Sequence, residues 1–349
     1  MVTLSSFFDL LCYNNQPGSE SMSNNVFGSL GEVDKNKLKN DLYDFYIPYR
    51  RTLNLPSIVT FGTEIEFKHP KYNDNYISGF MDFDNAARIL LEDMNFDFND
   101  WKIENEINNH IEVISPVLTD SKATWQELDN VLTFLKNNGC YYSKECGAHI
   151  HIGKAIFNKK PLGWINFFKM WYVFEDFIFL FSNGEEYNTR QNANSKAKKI
   201  SQICKNIIND YNSFSIIDSS YLSDVKIYCI RFTSSFNGVK YQTDLNTTVT
   251  NYTDNDKEKT IEFRNPNGTL NKVIWQNNVN FFAKLLLSCA NENFDNEKLD
   301  YLYVNKSLAS EFDLCDFVFD NDFDKLCFLR QYYKDFEENG MGYSKKFWK

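Results

Sequence analysis

The sequence lacks paired cysteine motifs and long uncharged apolar runs. Its eight cysteines are scattered and none belongs to a Cys-x-x-Cys pair, which is typical of reduced cytosolic thiols and excludes a zinc knuckle. The most apolar stretch, 164–181, contains Lys169, Glu175 and Asp176, so it predicts a buried helix and no membrane span. The first residues carry no basic start before an apolar run, so we expect no signal peptide and a cytoplasmic protein.

Positive charge is also scarce. The chain has 37 Lys and Arg against 47 Asp and Glu, a net charge of −10, which predicts no nucleic-acid partner and no anionic membrane surface. The phosphate-binding Gly-x-x-x-x-Gly-Lys-Ser/Thr loop and the Rossmann glycine motif are both missing. If ATP binds, it must therefore bind through metal ions or a local basic cluster. No motif indicates an oligomeric state.

What the sequence does contain is a series of short segments that alternate between apolar and polar residues, the two-residue period of a half-buried strand. In Phe61–Phe67 the aromatic residues face one way and two glutamates the other. Three later segments repeat this pattern: 111–115, 147–153 and 260–264. The polar side chains that these four strands place on one face are Glu64, Glu66, Glu112, His149, His151, Glu262 and Arg264.

Helical periodicity separates these strands. It predicts helices near 35–46, at 121–138, 161–183, 194–210 and 270–291, and the pattern predicts further strands at 225–233 and 240–250. We therefore predict an α+β fold: a curved antiparallel sheet with a concave, carboxylate-lined face and helices packed on its back. The predicted divisions are an N-terminal extension (1–55), a catalytic domain (56–294) and a C-terminal helical extension (295–349).

The polar face predicts a metal site. An isolated Glu-x-Glu strand is more often a solvated surface, but neighbouring carboxylates such as Glu64 and Glu66 repel one another unless cations lie between them, and here three other strands contribute ligands. Two histidines, His149 and His151, lie between glycines that would let a ligand approach. Several carboxylates with one or two imidazoles favour Mg²⁺ or Mn²⁺ over a closed zinc site.

An arginine on the same face extends this interpretation. A metal cluster alone would suit a hydrolase, whereas a cluster with an inward-facing Arg264 suits a reaction that accumulates phosphate charge. Arg190 and Arg231 are further candidates, although each alone is more often a surface arginine.

The order of these motifs resembles that of the amidoligase family, whose members are similar to glutamine synthetase and glutamate–cysteine ligase in fold and site. The resemblance covers about residues 58–290. Four motifs carry it: Phe-Gly-x-Glu-x-Glu-Phe, Glu-Val-x-Ser-Pro, Gly-x-His-x-His-x-Gly and Ile-Glu-Phe-Arg-x-x-x-Gly-Thr.

The resemblance implies a role for each residue. Glu64, His149 and Glu262 would hold one divalent ion on the nucleotide phosphates. Glu66 and Glu112 would hold a second ion nearer the substrate carboxylate. Arg264 would stabilise the transferred phosphoryl group and Arg190 would hold phosphate or substrate. The match departs from the family at Glu104-Asn105-Glu106, which leaves open which of these two glutamates completes the second metal site.

The implied activity is ATP-dependent ligation of a carboxylate to an amine through an acyl phosphate, with ATP and Mg²⁺ or Mn²⁺ as cofactors. Its partners would be small-molecule or peptide substrates, with an amino-acid or peptide carboxylate as the acceptor of phosphate. Two alternatives remain at this point. One is a metal-dependent hydrolase, which would need a third strong ligand and no arginine. The other is a non-catalytic nucleotide- or peptide-binding scaffold, which has no electrostatic reason to keep acids and histidines clustered.

Overall fold

The computed structural model describes Leu42, Phe45 and 47–333, with gaps at 80–84, 99, 107–108, 144, 158–159, 184–196, 198, 213–229 and 233–259. The predicted helix near 35–46, apart from Leu42 and Phe45, lies outside the described residues. So do the predicted strand at 240–250 and Arg190. No helix within the described part of the chain is long and apolar enough to cross a bilayer.

Seven strands of the described chain form one sheet, in which every strand pair is antiparallel. The order across the sheet is β2-β3-β1-β5-β7-β6, with β4 paired to β1. The strands are β1 (Thr60–Phe67), β2 (Lys102–Glu106), β3 (His110–Ile114), β4 (Leu118–Thr119), β5 (Ala148–Gly153), β6 (Ile230–Phe232) and β7 (Thr260–Phe263).

In the described part of the chain, helices lie between the strands and after the last strand. They are α1 (Asp74–Ile77), α2 (Ala86–Asp93), α3 (Lys122–Asn137), α4 (Pro161–Asn183), α5 (Ser201–Asn212), α6 (Lys272–Cys289), α7 (Asn296–Val304), α8 (Glu311–Val318) and α9 (Asp322–Tyr332). The α+β class, the antiparallel sheet and the four motif strands are confirmed. Strands β2 and β4 and helices α1 and α2 were not predicted.

Helices cover the apolar face of the sheet. Trp125 of α3 stacks on Phe61 of β1, with ring centroids 5.2 Å apart. Phe263 of β7 packs between α4 and α6, with centroids 5.8 Å from Trp171 and 4.2 Å from Phe282. Because strand side chains alternate, this apolar anchoring turns the glutamates and histidines to the opposite face.

Helix α5 begins seven residues later than predicted, and a buried carboxylate accounts for its start. Glu175 of α4 is 1% exposed. Its two oxygens accept hydrogen bonds from the backbone N–H groups of Ile200 at 2.5 Å and Ser201 at 3.1 Å. The first N–H groups of a helix have no partner within the helix, so Glu175 caps α5 and stabilises its first turn.

The described parts of both predicted extensions pack into the same hydrophobic core as the sheet. Leu53 on the N-terminal side and Leu302, Leu314 and Leu329 on the C-terminal side all belong to it. Within 295–333 the described residues form α7, α8 and α9. The division of the chain at 55 and 294 stays a prediction.

A buried ion cluster joins the N-terminal segment to α9. Asp324 is 2% exposed and accepts hydrogen bonds from Arg50 at 2.6 Å, Lys284 at 2.5 Å and Asn280 at 2.8 Å. Burial alone would raise the pKa of Asp324, but the charges of Arg50 and Lys284 hold it below its usual value. The carboxylate is therefore a stabilising anion in the folded state.

We expect Asp324→Asn to lower the free energy of unfolding at pH 7 by about 2 kcal/mol. This loss is smaller than the one expected when a fully buried ion pair is broken, because Arg50 and Lys284 keep some solvent contact. A depressed folded-state pKa contributes stability above the ordinary aspartate pKa and loses it as the pH falls through the folded value. The variant should therefore lose less stability than the wild type below about pH 4. Urea titrations across pH measure this, with the more exposed Asp316→Asn as control. Equal losses in both variants would contradict the role of Asp324.

Candidate active site on the polar face of the sheet

The polar face of the sheet brings the predicted side chains together from four strands. In the register, Glu66 of β1 lies opposite Glu112 of β3, and Glu64 lies opposite His149 of β5. His151 lies opposite Glu262 of β7. Cross-strand neighbours on one face have Cβ atoms about 5 Å apart, so the pairing alone places these groups within reach of a shared ligand.

Glu64 lies at the centre of this face. One of its oxygens is 2.7 Å from Nδ1 of His149 and the other is 2.7 Å from Nε2 of His151. The second ring nitrogen of His151 is 2.9 Å from the Thr260 hydroxyl. Burial alone would raise the pKa of Glu64, but hydrogen bonds and charge from the two histidines hold it well below its usual range. Glu64 thus lies between two imidazoles that favour its ionised form.

Glu66 and His149 are both buried, each 2% exposed. The Glu66 carboxylate accepts a hydrogen bond from the backbone N–H of Gly147 at 2.6 Å, and its other oxygen is 3.3 Å from Nε2 of His149. Nδ1 of His149 is 3.8 Å from Glu112 and 3.7 Å from Glu262. The His149 ring therefore lies within 3.8 Å of four carboxylates, those of Glu64, Glu66, Glu112 and Glu262.

Arg264 follows β7 directly and is 7% exposed. Its guanidinium donates to Glu262 and lies 3.5 Å from Nδ1 of His149. Burial would lower the pKa of Arg264, yet the charge of Glu262 and its hydrogen bond raise it, so the guanidinium stays charged. Its buried Nε–H has no hydrogen-bond partner among the described residues. A buried, charged donor without an acceptor is a candidate hydrogen-bond donor to an anionic ligand.

The carboxylates of the face cannot all be ionised without added cations. Burial and the charges of Glu64, Glu66 and Glu106 raise the pKa of Glu112 to about 10. Around the His149 ring, four carboxylates (Glu64, Glu66, Glu112, Glu262) lie with the guanidinium of Arg264 and the imidazole of His151. Divalent ions would remove this imbalance and ionise Glu112.

Two groups of potential ligand atoms fit this requirement, each with its atoms within 4.8 Å of one another. One consists of Glu64, His151 and Glu262, and the other of Glu64, Glu112 and His149. Carboxylate-rich sets with one imidazole suit Mg²⁺ or Mn²⁺. Glu64 belongs to both groups. The different division implied by the resemblance, with His149 beside Glu262 and with Glu66 beside Glu112, stays a prediction.

Three further charged residues that the sequence analysis had left open, Glu104, Glu106 and Arg231, also lie on strands of this sheet. Strand β2 places Glu104 opposite Glu112 and Glu106 opposite His110, so both glutamates occupy the polar side of the edge strand. The alternation of 102–106 was the available signal, but its single apolar residue, Ile103, made it weak. Arg231 of β6 lies opposite Glu262 in the register.

A glycine outside the face fixes the position of Glu66. A Cβ on Gly268 would lie 2.6 Å from Cβ of Cys146, 2.9 Å from its carbonyl oxygen and 3.0 Å from its carbonyl carbon. The N–H of Gly268 donates to that same carbonyl at 2.9 Å. Cys146 immediately precedes Gly147, whose N–H binds Glu66. The chain at Gly268 thus approaches so closely that only glycine fits.

We expect Gly268→Ala to push the Cys146 backbone away and to weaken the Gly147–Glu66 hydrogen bond. The free energy of unfolding should fall by about 2 kcal/mol, as for other overpacked sites, and any metal affinity of the face should fall with it. Guanidinium titration and Mn²⁺ titration measure the two effects. Gly62→Ala is the matched control for stability, because its Cβ would meet only ordinary contacts at 3.6 and 3.7 Å. Equal stability in both variants would contradict the steric argument.

An antiparallel sheet with glutamates from four strands, two histidines and a buried arginine on one face defines a class of site: an acidic sheet face whose side chains are compatible with divalent ions.

The chain belongs to the amidoligase family. The sequence profile of the family described as "Putative amidoligase enzyme" matches residues 82–286, more than half of the chain. This membership confirms the resemblance and supports a ligase-type function.

Among solved structures, 38 chains match. One of them is described as a crystal structure of a novel glutamine synthase homolog, with 12% sequence identity and a TM-score of 0.40. The match covers 79% of this chain and 65% of that one, so this chain spans about two thirds of the length of that structure. Comparison with curated proteins gives no match.

Proposed function

We propose that the protein is an ATP-dependent carboxylate–amine ligase that works through an acyl phosphate. The observation that carries this proposal is the position of Arg264, a buried, charged guanidinium beside the carboxylates whose Nε–H has no acceptor among the described residues. A hydrolase would need no such group. Amidoligase membership supports the ligase class. The use of ATP and of an acyl phosphate is inferred from the residues of the polar face.

The reaction needs an activated carboxylate, because an oxide-like oxygen is a poor leaving group. In the first step a carboxylate oxygen attacks the γ-phosphorus of ATP, and the bond to the bridging oxygen breaks to release ADP. In the second step an amine attacks the acyl carbon and phosphate leaves with the bonding electrons, while the amine loses a proton. In sum, the carboxylate, the amine and ATP give the amide, ADP and phosphate. The amide has the mass of the two substrates minus one water.

Each residue of the face has a role in this scheme. Divalent ions would neutralise the phosphate oxygens and orient the two substrates. The residues that would hold these ions are Glu64, Glu66, Glu112, His149, His151 and Glu262. Arg264 stabilises the charge that builds on the transferred phosphoryl group. The Glu262 carboxylate and the His149 ring contact that guanidinium and orient it. Arg190 remains a candidate for binding phosphate or substrate.

The test of this function is the reaction itself. The full chain is incubated with ATP, Mg²⁺ and pooled amino acids, polyamines and peptides, and mass spectrometry searches for products equal to two substrates minus one water. ADP formed in proportion to product supports the ligase. Products of hydrolysis without ADP would support the metal-dependent hydrolase, and binding of ATP without any product would support the scaffold.

Metal dependence is a separate prediction. Mg²⁺ or Mn²⁺ with ATP should raise the melting temperature, because a ligand that binds only the folded state stabilises it by mass action. EDTA should abolish the shift if the ions connect the nucleotide to the carboxylates. The measurement is thermal unfolding with ATP alone, metal alone, both, and both with EDTA. A shift with ATP alone that EDTA leaves unchanged would contradict the metal-bridged site.

A further inference from the structure

The last turn of α4 is attached to the loop that follows β7 and begins with Arg264. Ser182, in that turn, is fully buried. Its hydroxyl accepts a hydrogen bond from Nδ2 of Asn265 at 2.7 Å, and its carbonyl accepts one from the backbone N–H of Asn267 at 3.4 Å. Because Asn265 directly follows Arg264 in the sequence, the end of α4 holds the chain immediately beyond the guanidinium-bearing residue.

The other side of the same loop is attached to the start of β5. The carbonyl of Pro266 accepts a hydrogen bond from the N–H of Ala148 at 3.2 Å. Gly147 forms an isolated bridge with Asn267. The backbone after Arg264 is therefore fixed between β5, which belongs to the sheet, and α4, which covers its back.

A glutamine of the C-terminal helix α9 holds the last turn of α4 from a third direction. Gln331 is fully buried, and its Nε2 group donates to the Phe181 carbonyl at 3.3 Å and to Oδ1 of Asn278 at 2.7 Å. Its Oε1 atom accepts a hydrogen bond from Nδ2 of Asn277 at 2.8 Å. The last four carbonyl groups of a helix have no partner within the helix, so Gln331 satisfies one of them while it joins α9 to α4 and α6.

This polar network includes two buried atoms that have no hydrogen-bond partner within the described residues, Oδ1 of Asn265 and Nδ2 of Asn278. A buried polar atom without a partner lowers stability, so apolar side chains would join these elements more cheaply. Hydrogen bonds are directional, however. The network therefore fixes the position and rotation of the last turn of α4, which apolar packing alone would leave freer.

We propose that Ser182 and Gln331 are positioning residues for Arg264, which act through the loop after β7. Ser182 holds this loop through the side chain of Asn265, and Gln331 holds the turn of α4 in which Ser182 lies. Loss of either contact lets the loop shift, so that the guanidinium moves away from its partner Glu262 for part of the time.

This inference gives a helix outside the family match a part in the site. The match to the family profile ends at residue 286, whereas Gln331 lies in α9. The inference rests on the proposed function for the action of Arg264 on phosphate, but the placement of the guanidinium can be measured without turnover. Failure of the ligase and failure of the positioning are therefore distinguishable.

The first measurement is nuclear magnetic resonance of the arginine Nε–H groups in the full chain labelled with ¹⁵N-arginine. The chain has seven arginines, and the Arg264 signal is the one that Arg264→Lys removes. In the wild type this buried group should give one narrow signal that exchanges slowly with solvent. Ser182→Ala and Gln331→Met should each broaden the signal and raise its exchange rate by about tenfold, the factor that corresponds to one lost buried hydrogen bond.

Two control variants remove comparable hydrogen bonds elsewhere in the fold. Ser288→Ala removes a hydroxyl of α6 that donates to the carbonyl of Phe317. Gln276→Met removes a buried amide that bonds the backbone of Arg50 at 2.7 and 2.8 Å. In urea titrations each control should lose about as much stability as its matched variant, and both should leave the Arg264 signal unchanged. A merely structural role would make all four variants alike.

Turnover supplies the second measurement. Ser182→Ala should lower kcat for ADP release by about tenfold with little change in the KM for ATP, and it should have no further effect in the Arg264→Met variant. Equal losses in the two backgrounds would contradict the route through Arg264. If the wild type releases no ADP, the ligase fails while the Arg264 signal still decides the positioning.

The resonance of Arg264 thus decides the proposal. An unchanged signal in Ser182→Ala and Gln331→Met, or equal changes in the two controls, would overturn the positioning. If Gln331→Met fails to fold, Ser182→Ala with its control Ser288→Ala carries the same test.

Discussion

Arg264→Met is expected to lower ATP turnover by about 10³-fold, the scale seen when a group that stabilises transition-state charge is removed. The guanidinium is buried and charged, and it presents an N–H without a partner among the described residues. Methionine keeps most of the apolar volume, so folding should survive. Steady-state ADP release measures the effect, with Mn²⁺ affinity as the readout that should change little.

Two further variants make the Arg264 result specific. Arg264→Lys keeps a positive charge but loses the planar fork of donors, so its rate should lie between those of the wild type and Arg264→Met. Arg88→Met removes an exposed arginine that contacts Glu92 at 3.8 Å, and its turnover should equal that of the wild type. Full activity in Arg264→Met would remove the main support for phosphoryl transfer at this face.

Glu64→Gln is expected to lower the affinity for Mn²⁺ by on the order of 10³-fold, since even partners outside the ligand sphere are worth about 10- to 100-fold. Glu64 contributes to both candidate ligand groups, so an ion in either group would bind more weakly. The KM for ATP should rise as a result. Titration of free Mn²⁺ by electron paramagnetic resonance, beside calorimetry with ATP, measures the two effects.

Glu66→Gln is the matched comparison, because it removes a second carboxylate from the same strand face. Glu66 binds the Gly147 N–H and contacts His149, and it belongs to neither of the two ligand groups. We expect it chiefly to lower kcat, with nucleotide binding largely retained. Wild-type activity in both variants would show that these carboxylates have no role in the reaction, and it would contradict the ligase.

Strand alternation explains why much of the site could be predicted from the sequence. Phe61–Phe67 and Thr260–Phe263 have apolar residues at every second position, which decides the buried face and therefore the direction of Glu64, Glu66 and Glu262. Register was not predictable, because it depends on pairing between strands far apart in the chain. The sharing of Glu64 between two ligand groups is a consequence of register.

The residues that sequence reasoning missed have a common cause: each depends on a tertiary contact. Helix α5 starts at Ser201 because Glu175 caps it from another helix. Gly268 is part of the recognised motif, but its purpose becomes visible only beside the Cys146 backbone.

The wide spacing of the site residues along the chain has a kinetic consequence. His151 contacts a glutamate 87 residues before it and a threonine 109 residues after it. Such pairings require closure of very long loops, so they form slowly. The ligand groups should therefore be absent from early compact intermediates and should appear together with the completed sheet. During refolding, Mn²⁺ uptake should lag behind the recovery of helical circular dichroism, which makes the ion a reporter of the last steps of assembly.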